Sequence, residues 1–183
     1  RIGVTVPKTI VQIDDMDDDL RNSLWNFFLS HVWENLSPGY GDDKTHFFLK
    51  AIYIGYLKEP TDNIPDHYLE RQLVLKYYFL KSKWFEPYNI LEAIIRIFSL
   101  DDNSIRALNM ILEEERSGYR VVCGKFVPIS NKTELKEIET AVSHEDEASF
   151  HIKAAIDAIS DKQNQNYRNC IKESISAVEA TVG

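Results

Sequence analysis

The 183 residues contain only two cysteines, Cys123 and Cys170. That excludes a disulfide framework and any multi-cysteine metal site, and leaves reduced thiols as the expectation. Glycine is also sparse: seven residues, scattered singly, make neither a phosphate-cradling loop nor a nucleophile elbow. Apolar runs such as "YYFL" and "AIYIGYL" fall far short of the ~20 residues that cross a bilayer, so no membrane partner is expected. Nothing resembles a charged-plus-apolar secretory leader, which points to the cytoplasm. Arg1 stands where an initiator methionine would, and suggests a chain trimmed at its start. Excess positive charge is missing too. A formal charge of -8 argues against a general polyanion-binding surface, although it leaves room for a local basic cleft. No fixed-period repeat or low-complexity segment stands out.

What is present is a succession of helical patterns in a globular composition, 44% hydrophobic and 27% charged. The opening "VTVPKTIVQI" is β-branched and carries Pro7, which suits a short extended arm. Five aspartates then precede Leu20, Leu24, Phe27, Phe28, Val32 and Leu36 at helical spacing. Carboxylates there cap free amides and oppose the positive end of the helix dipole. A cation site is the weaker alternative, because the run lacks the glycine and distant glutamate of a calcium loop. "SPGYGDD" breaks the chain, and further helices are predicted over 44–58, 65–84, 86–100 and 103–117. Pro60, Pro65 and Pro87 fall at their starts or ends. Aromatic residues including Phe47, Phe48, Tyr53, Tyr56, Tyr77, Tyr78, Phe79, Trp84 and Phe85 are spaced as on buried helix faces.

"YRVVCGKFVPI" breaks the helical pattern. Its two β-rich halves flank Cys123-Gly124 and predict a hairpin over 119–129, with Gly124 supplying the positive φ of a tight turn. Helices resume over 130–142, 146–160 and 167–183, the last two separated by the polar "DKQNQN". The fold class is therefore mainly α: a helical bundle with a short N-terminal extended arm and one β-hairpin. A domain boundary is placed between 143 and 144.

The chemistry-bearing residues are few. His144 and His151 are seven apart, but no third ligand or HExxH pattern accompanies them, so no metal and no cofactor is expected. In the last helix, Ile171, Ile175, Val178 and Val182 form one apolar stripe. Arg168, Lys172 and Glu179 border it, and Asn169 and Glu173 make an i, i+4 pair further round. These five polar residues are either a solvated face with routine ion pairs or the supports of a cleft beside a helix–helix seam.

The segments "VQIDDMDDDLRNSLWN" (11–26), "ILEEERSGYRVVCGKFVPISNKTELKEIETAV" (111–142) and "YRNCIKESISAVEA" (167–180) together resemble AbiJ-type abortive-infection proteins of bacteria. The resemblance implies an N-terminal helical domain over 1–143, followed over 144–183 by the first helices of a C-terminal HEPN domain. HEPN domains are helical bundles, many of them metal-independent ribonucleases whose composite site forms across a homodimer. An arginine followed four to six residues later by a histidine carries that chemistry: the histidine moves a proton for attack by the RNA 2′-hydroxyl, and the arginine stabilises charge on the phosphate. This chain departs from the pattern. Arg168 is followed by "NCIKES", without a histidine, and nine residues separate Arg21 from His31. The catalytic pair is expected beyond Gly183, which leaves Arg168, Asn169, Lys172, Glu173 and Glu179 as supporting cleft residues and the chain to Gly183 inactive.

The leading expectation is the regulatory or sensor part of a bacterial antiphage protein, with RNA as the substrate of the complete protein and a phage-derived trigger. The alternative is a non-catalytic interaction or oligomerisation module. A metal-dependent hydrolase using the aspartates and histidines is the third and weakest reading.

Overall fold

The computed structural model describes residues 11–36, 44–129 and 131–182. Most of the expected arm and the "SPGYGDD" break lie outside the described residues. Among those described, eight α-helices and one antiparallel hairpin make up a mainly α protein, as the sequence pattern implies. The chain forms two compact units, one spanning Asp14–Ile111, the other built from Leu112 onward and joined by the end of the N-terminal arm.

The first unit contains α1 (Asp18–Phe28), α2 (Lys44–Ile52), α3 (Tyr68–Leu80), α4 (Glu86–Phe98) and most of α5 (Asp102–Glu114). Asp17 caps α1 by accepting the Leu20 amide at 2.9 Å, and Asp18 and Asp19 occupy its first turn. The predicted helices do not stay α-helical to their ends: Leu29–Trp33 and Tyr53–Leu57 widen to π geometry. At the first, the Ser30 hydroxyl donates to the carbonyls of Asn26 and Phe27, competing with the backbone amides for them.

Phe28 is the hub of this core. Fully buried, it meets the rings of Trp25, Trp33, Phe48 and Phe79 at centroid separations of 5.4–6.1 Å. Two buried arginines serve the backbone around it. Arg21 donates to Phe79 O and Ser82 O at 2.9 and 3.0 Å, closing the C-terminal end of α3 with a cation. Arg71 donates to Pro65 O, Asp66 O and Thr45 Oγ1, tying α2 and the entry of α3 together. The aromatic spacing over-predicts burial, however. Phe47 is 66% exposed and Tyr77 is exposed as well, because neighbours on a helix point ~100° apart and Phe48 and Phe79 hold the inward positions.

In the second unit, β1 (Arg120–Val122) pairs with β2 (Lys125–Val127), Val122 opposite Lys125. That register leaves a two-residue turn in which both Cys123 (φ 50°) and Gly124 (φ 75°) are left-handed, whereas the sequence reading assigned positive φ to Gly124 alone. Val122, Val127 and Ile129 meet Ile156 of α7 (Glu147–Ser160) in a small core, which Leu135, Ile138 and Val142 of α6 (Lys132–Val142) flank. The arm enters here: Gln12 N donates to Arg116 O at 2.9 Å and Gly118 N donates to Gln12 O at 2.8 Å. A Cβ on Gly118 would lie 2.9 Å from Ile13 Cγ1 and 3.0 Å from Gln12 O. Only glycine allows this approach.

Phe28→Ala should lower unfolding stability in urea by about 3–5 kcal/mol through the cavity it leaves, while Phe47→Ser should stay within about 0.5 kcal/mol. Gly118→Ala should cost about 1–3 kcal/mol, because a backbone carbonyl must move to admit the methyl group. An unchanged denaturation midpoint for Gly118→Ala would rule out the close packing of the arm.

Candidate functional site

The sequence-predicted site residues all lie on α8 (Tyr167–Val182), which returns antiparallel along α7. Local polar chemistry sets the reversal. The Asp146 side chain caps α7 by accepting the Ser149 amide at 2.8 Å. In the connector, Asp161 Oδ1 accepts the amides of Gln163 and Asn164, and Asn166 Oδ1 accepts the Asn169 amide at the start of α8. "DKQNQN" is thus a pair of side-chain-closed turns, the geometry that aspartate and asparagine favour.

The predicted polar residues separate. His151 Nδ1 on α7 donates to Glu173 Oε2 on α8 at 2.8 Å, and Lys172 Nζ lies 3.4 Å from Glu173 Oε1. Lys172 and Glu173 therefore come together around His151, which the sequence pattern offers only as a seven-residue pair with His144. Arg168 and Glu179 are exposed, and Asn169, half-buried, begins the helix rather than pairing with Glu173. His144 falls between α6 and α7, so it shares no helix with His151. The cross-helix pair was accessible in principle: folding the sequence back on itself about the 161–166 connector brings 151 within about one helical turn of 173.

The bond from His151, helped by Lys172, holds the Glu173 carboxyl below the usual carboxylate range. An ionised carboxylate only accepts, so His151 Nδ1 carries the proton and its tautomer is fixed. Beside the pair, an apolar groove of about 390 Å³ runs between α7 and α8, lined by Ile138, Ile152, Ala155, Ile159, Ala177 and Val178 among others. The expected stripe lies outward: Ile171, Ile175, Val178 and Val182 are 55–82% exposed, and Ala177 is the buried residue of α8.

A second polar cluster, absent from the sequence reading, stands in the first unit. The Tyr56 hydroxyl donates to Glu86 Oε2, joining the π-helical turn to α4. Burial and the nearby Glu59 carboxylate push the Tyr78 phenol up to about 12, and burial raises Tyr53 and Tyr56 as well. These phenols stay protonated at neutral pH, and Tyr56 uses its proton in the bond to Glu86.

Because the folded-state pKa of Glu173 lies below its unfolded value, the unfolded chain binds more protons between the two. The stabilisation is present above the ordinary glutamate range near ~4.3 and is lost as pH falls through the folded value. The stability difference between the native protein and Glu173→Gln, read from urea midpoints, should be full above the ordinary glutamate range and shrink steadily as pH is lowered below it. A difference that ignores pH would assign Glu173 a packing role instead.

No helix among the described residues is long and apolar enough to cross a membrane. No curated protein and no solved structure matches the chain. The family model described as AbiJ N-terminal domain 4 matches residues 1–144, the arm, the helical unit, the hairpin and α6. The chain belongs to the AbiJ N-terminal domain 4 family, which associates it with abortive infection and antiphage defence.

Proposed function

We propose that residues 1–143 form the sensor or restraint of an antiphage protein, and that α7 and α8 open a HEPN domain that cleaves RNA without a metal. In this reading a phage-derived trigger releases the restraint, two copies of the HEPN part assemble a composite site, and RNA cleavage arrests the infected cell in its cytoplasm. Membership of the family over 1–144 supports the defence role. The observation that carries the rest is the helix pair after the matched region: α7 and α8 lie antiparallel, with a row of aliphatic side chains turned outward as a bundle wall would have it. Arg168, Asn169, Lys172, Glu173 and Glu179 act there as supports. The histidine that moves the proton is supplied by a later Arg-x(4–6)-His helix.

A non-catalytic interaction module is the second reading, and the same exposed stripe favours it. The complete product of the reading frame separates the two. Purified with its downstream helices, it should cleave RNA in excess EDTA, and alanine at the downstream arginine or histidine should reduce cleavage by at least about a hundredfold. A frame without such a helix, or cleavage indifferent to both substitutions, would leave the interaction module standing.

A further inference from the structure

A helix leaves its last carbonyls without partners of its own, and at the end of α5 the N-terminal arm supplies them. Arg116 is left-handed (φ 57°), and the amides of Arg116 and Ser117 turn back to Glu113 O and Leu112 O at 3.0 and 2.8 Å. That reversal closes the helix and leaves the carbonyls of Glu115 and Arg116 to donors from elsewhere. Gln12 serves both. Its side-chain Nε2 donates to Glu115 O at 2.8 Å and its main-chain N to Arg116 O at 2.9 Å, while its own carbonyl accepts the Gly118 amide at 2.8 Å. The end of α5 is therefore capped by a residue 103 positions before Glu115. Apolar burial adds little to the contact, because the flanking Val11 and Ile13 are 40% and 52% exposed.

The chain passes between the two units after Ile13 and again after Ile111, and the second passage falls in the last turn of α5. We propose that Gln12 is a releasable latch on the hinge between the units. Closed, it fastens the arm just before the first passage to the residues just after the second, so the unit Asp14–Ile111 is tethered through both of its ends at one point. Open, that unit is tethered through the last turn of α5 alone, whose end carbonyls have then lost their donors. Rotation between domains concentrates at such element-terminal positions. Release breaks the polar bonds of one residue and uncovers little apolar surface, which makes it a local opening, separate from unfolding of the hairpin core. Gly118 gives the latch its seat, since a Cβ there would meet Gln12 O at 3.0 Å.

The latch rests on the arm and α5 and makes no use of RNA cleavage. A cleavage result of either sign leaves it intact, and its failure leaves the cleavage assay unaffected.

Amide hydrogen exchange of the 183-residue chain, followed residue by residue by NMR, tests the release. The Gln12 and Gly118 amides should exchange together, and faster than the hairpin amides of 120–127. Gln12→Glu keeps the side chain's length and removes its donor. It should speed exchange at Gly118 about three- to tenfold and leave the hairpin amides unchanged. Spin labels on the exposed native Cys123 and on Phe47→Cys, in a Cys170→Ser background, test the hinge: Gln12→Glu should widen the distribution of distances between them. Gly118 exchanging only in step with the hairpin, exchange at Gly118 indifferent to Gln12→Glu, or an unchanged distance distribution would each overturn the latch.

Discussion

Ile156 decides the direction of the C-terminal part of the chain. It inserts into the hairpin core of Val122, Val127 and Ile129, and so sets α7 against the strands with Ile152 and Ile159 on the same side. With α7 held, α8 can follow only along its remaining flank, and the face it offers there is that of Ala177, whose short side chain permits close approach. The His151–Glu173 bond lies in this contact. The isoleucines and valines of the α8 stripe are then turned away. The exposed aliphatic row results from a small-residue face packing inward rather than from an accident of composition.

The helical unit rests on a different balance. A core built on Phe28 and its ring partners supplies apolar area, but the helix end and the connector around it carry carbonyls that no helix hydrogen bond takes up. Arg21 and Arg71 resolve this by placing guanidinium groups among carbonyl oxygens, where several fixed donors satisfy several acceptors at once. The Tyr56–Glu86 bond instead ties the second π-helical turn to α4, side chain to side chain. These groups are polar because the backbone around them is, and their role is structural.

Family membership covers the arm, the helical unit, the hairpin and α6, and the five predicted cleft supports, Arg168, Asn169, Lys172, Glu173 and Glu179, lie outside it on α8. The packing, however, ignores that limit: α6 and α7 share the hairpin core. A conformational change in the hairpin would be felt by α7 first, and through His151 and Glu173 by α8.

Local chemistry was enough for the order of elements. Asp17, Asp146 and Asn166 cap where their side chains reach free amides, and the β-branched halves about Cys123-Gly124 pair as strands. The α8 stripe and its charged border were legible as a pattern. Other features required the third dimension. Helical period says that one of Phe47 and Phe48 turns inward without saying which. A glycine at 118 does not announce Ile13 a hundred residues away, and the π turn at Leu29–Trp33 depends on the Ser30 hydroxyl competing for particular carbonyls. The stripe of α8 is the clearest case. Amphipathicity predicts that such a face is buried, but which face a helix buries is settled by its neighbour's shape, and α7 accepts the alanine and leaves the isoleucines and valines outside. Sequence alone determined that a seam exists on α8; tertiary structure determined that it points outward, because packing selects complementary surfaces and not merely apolar ones.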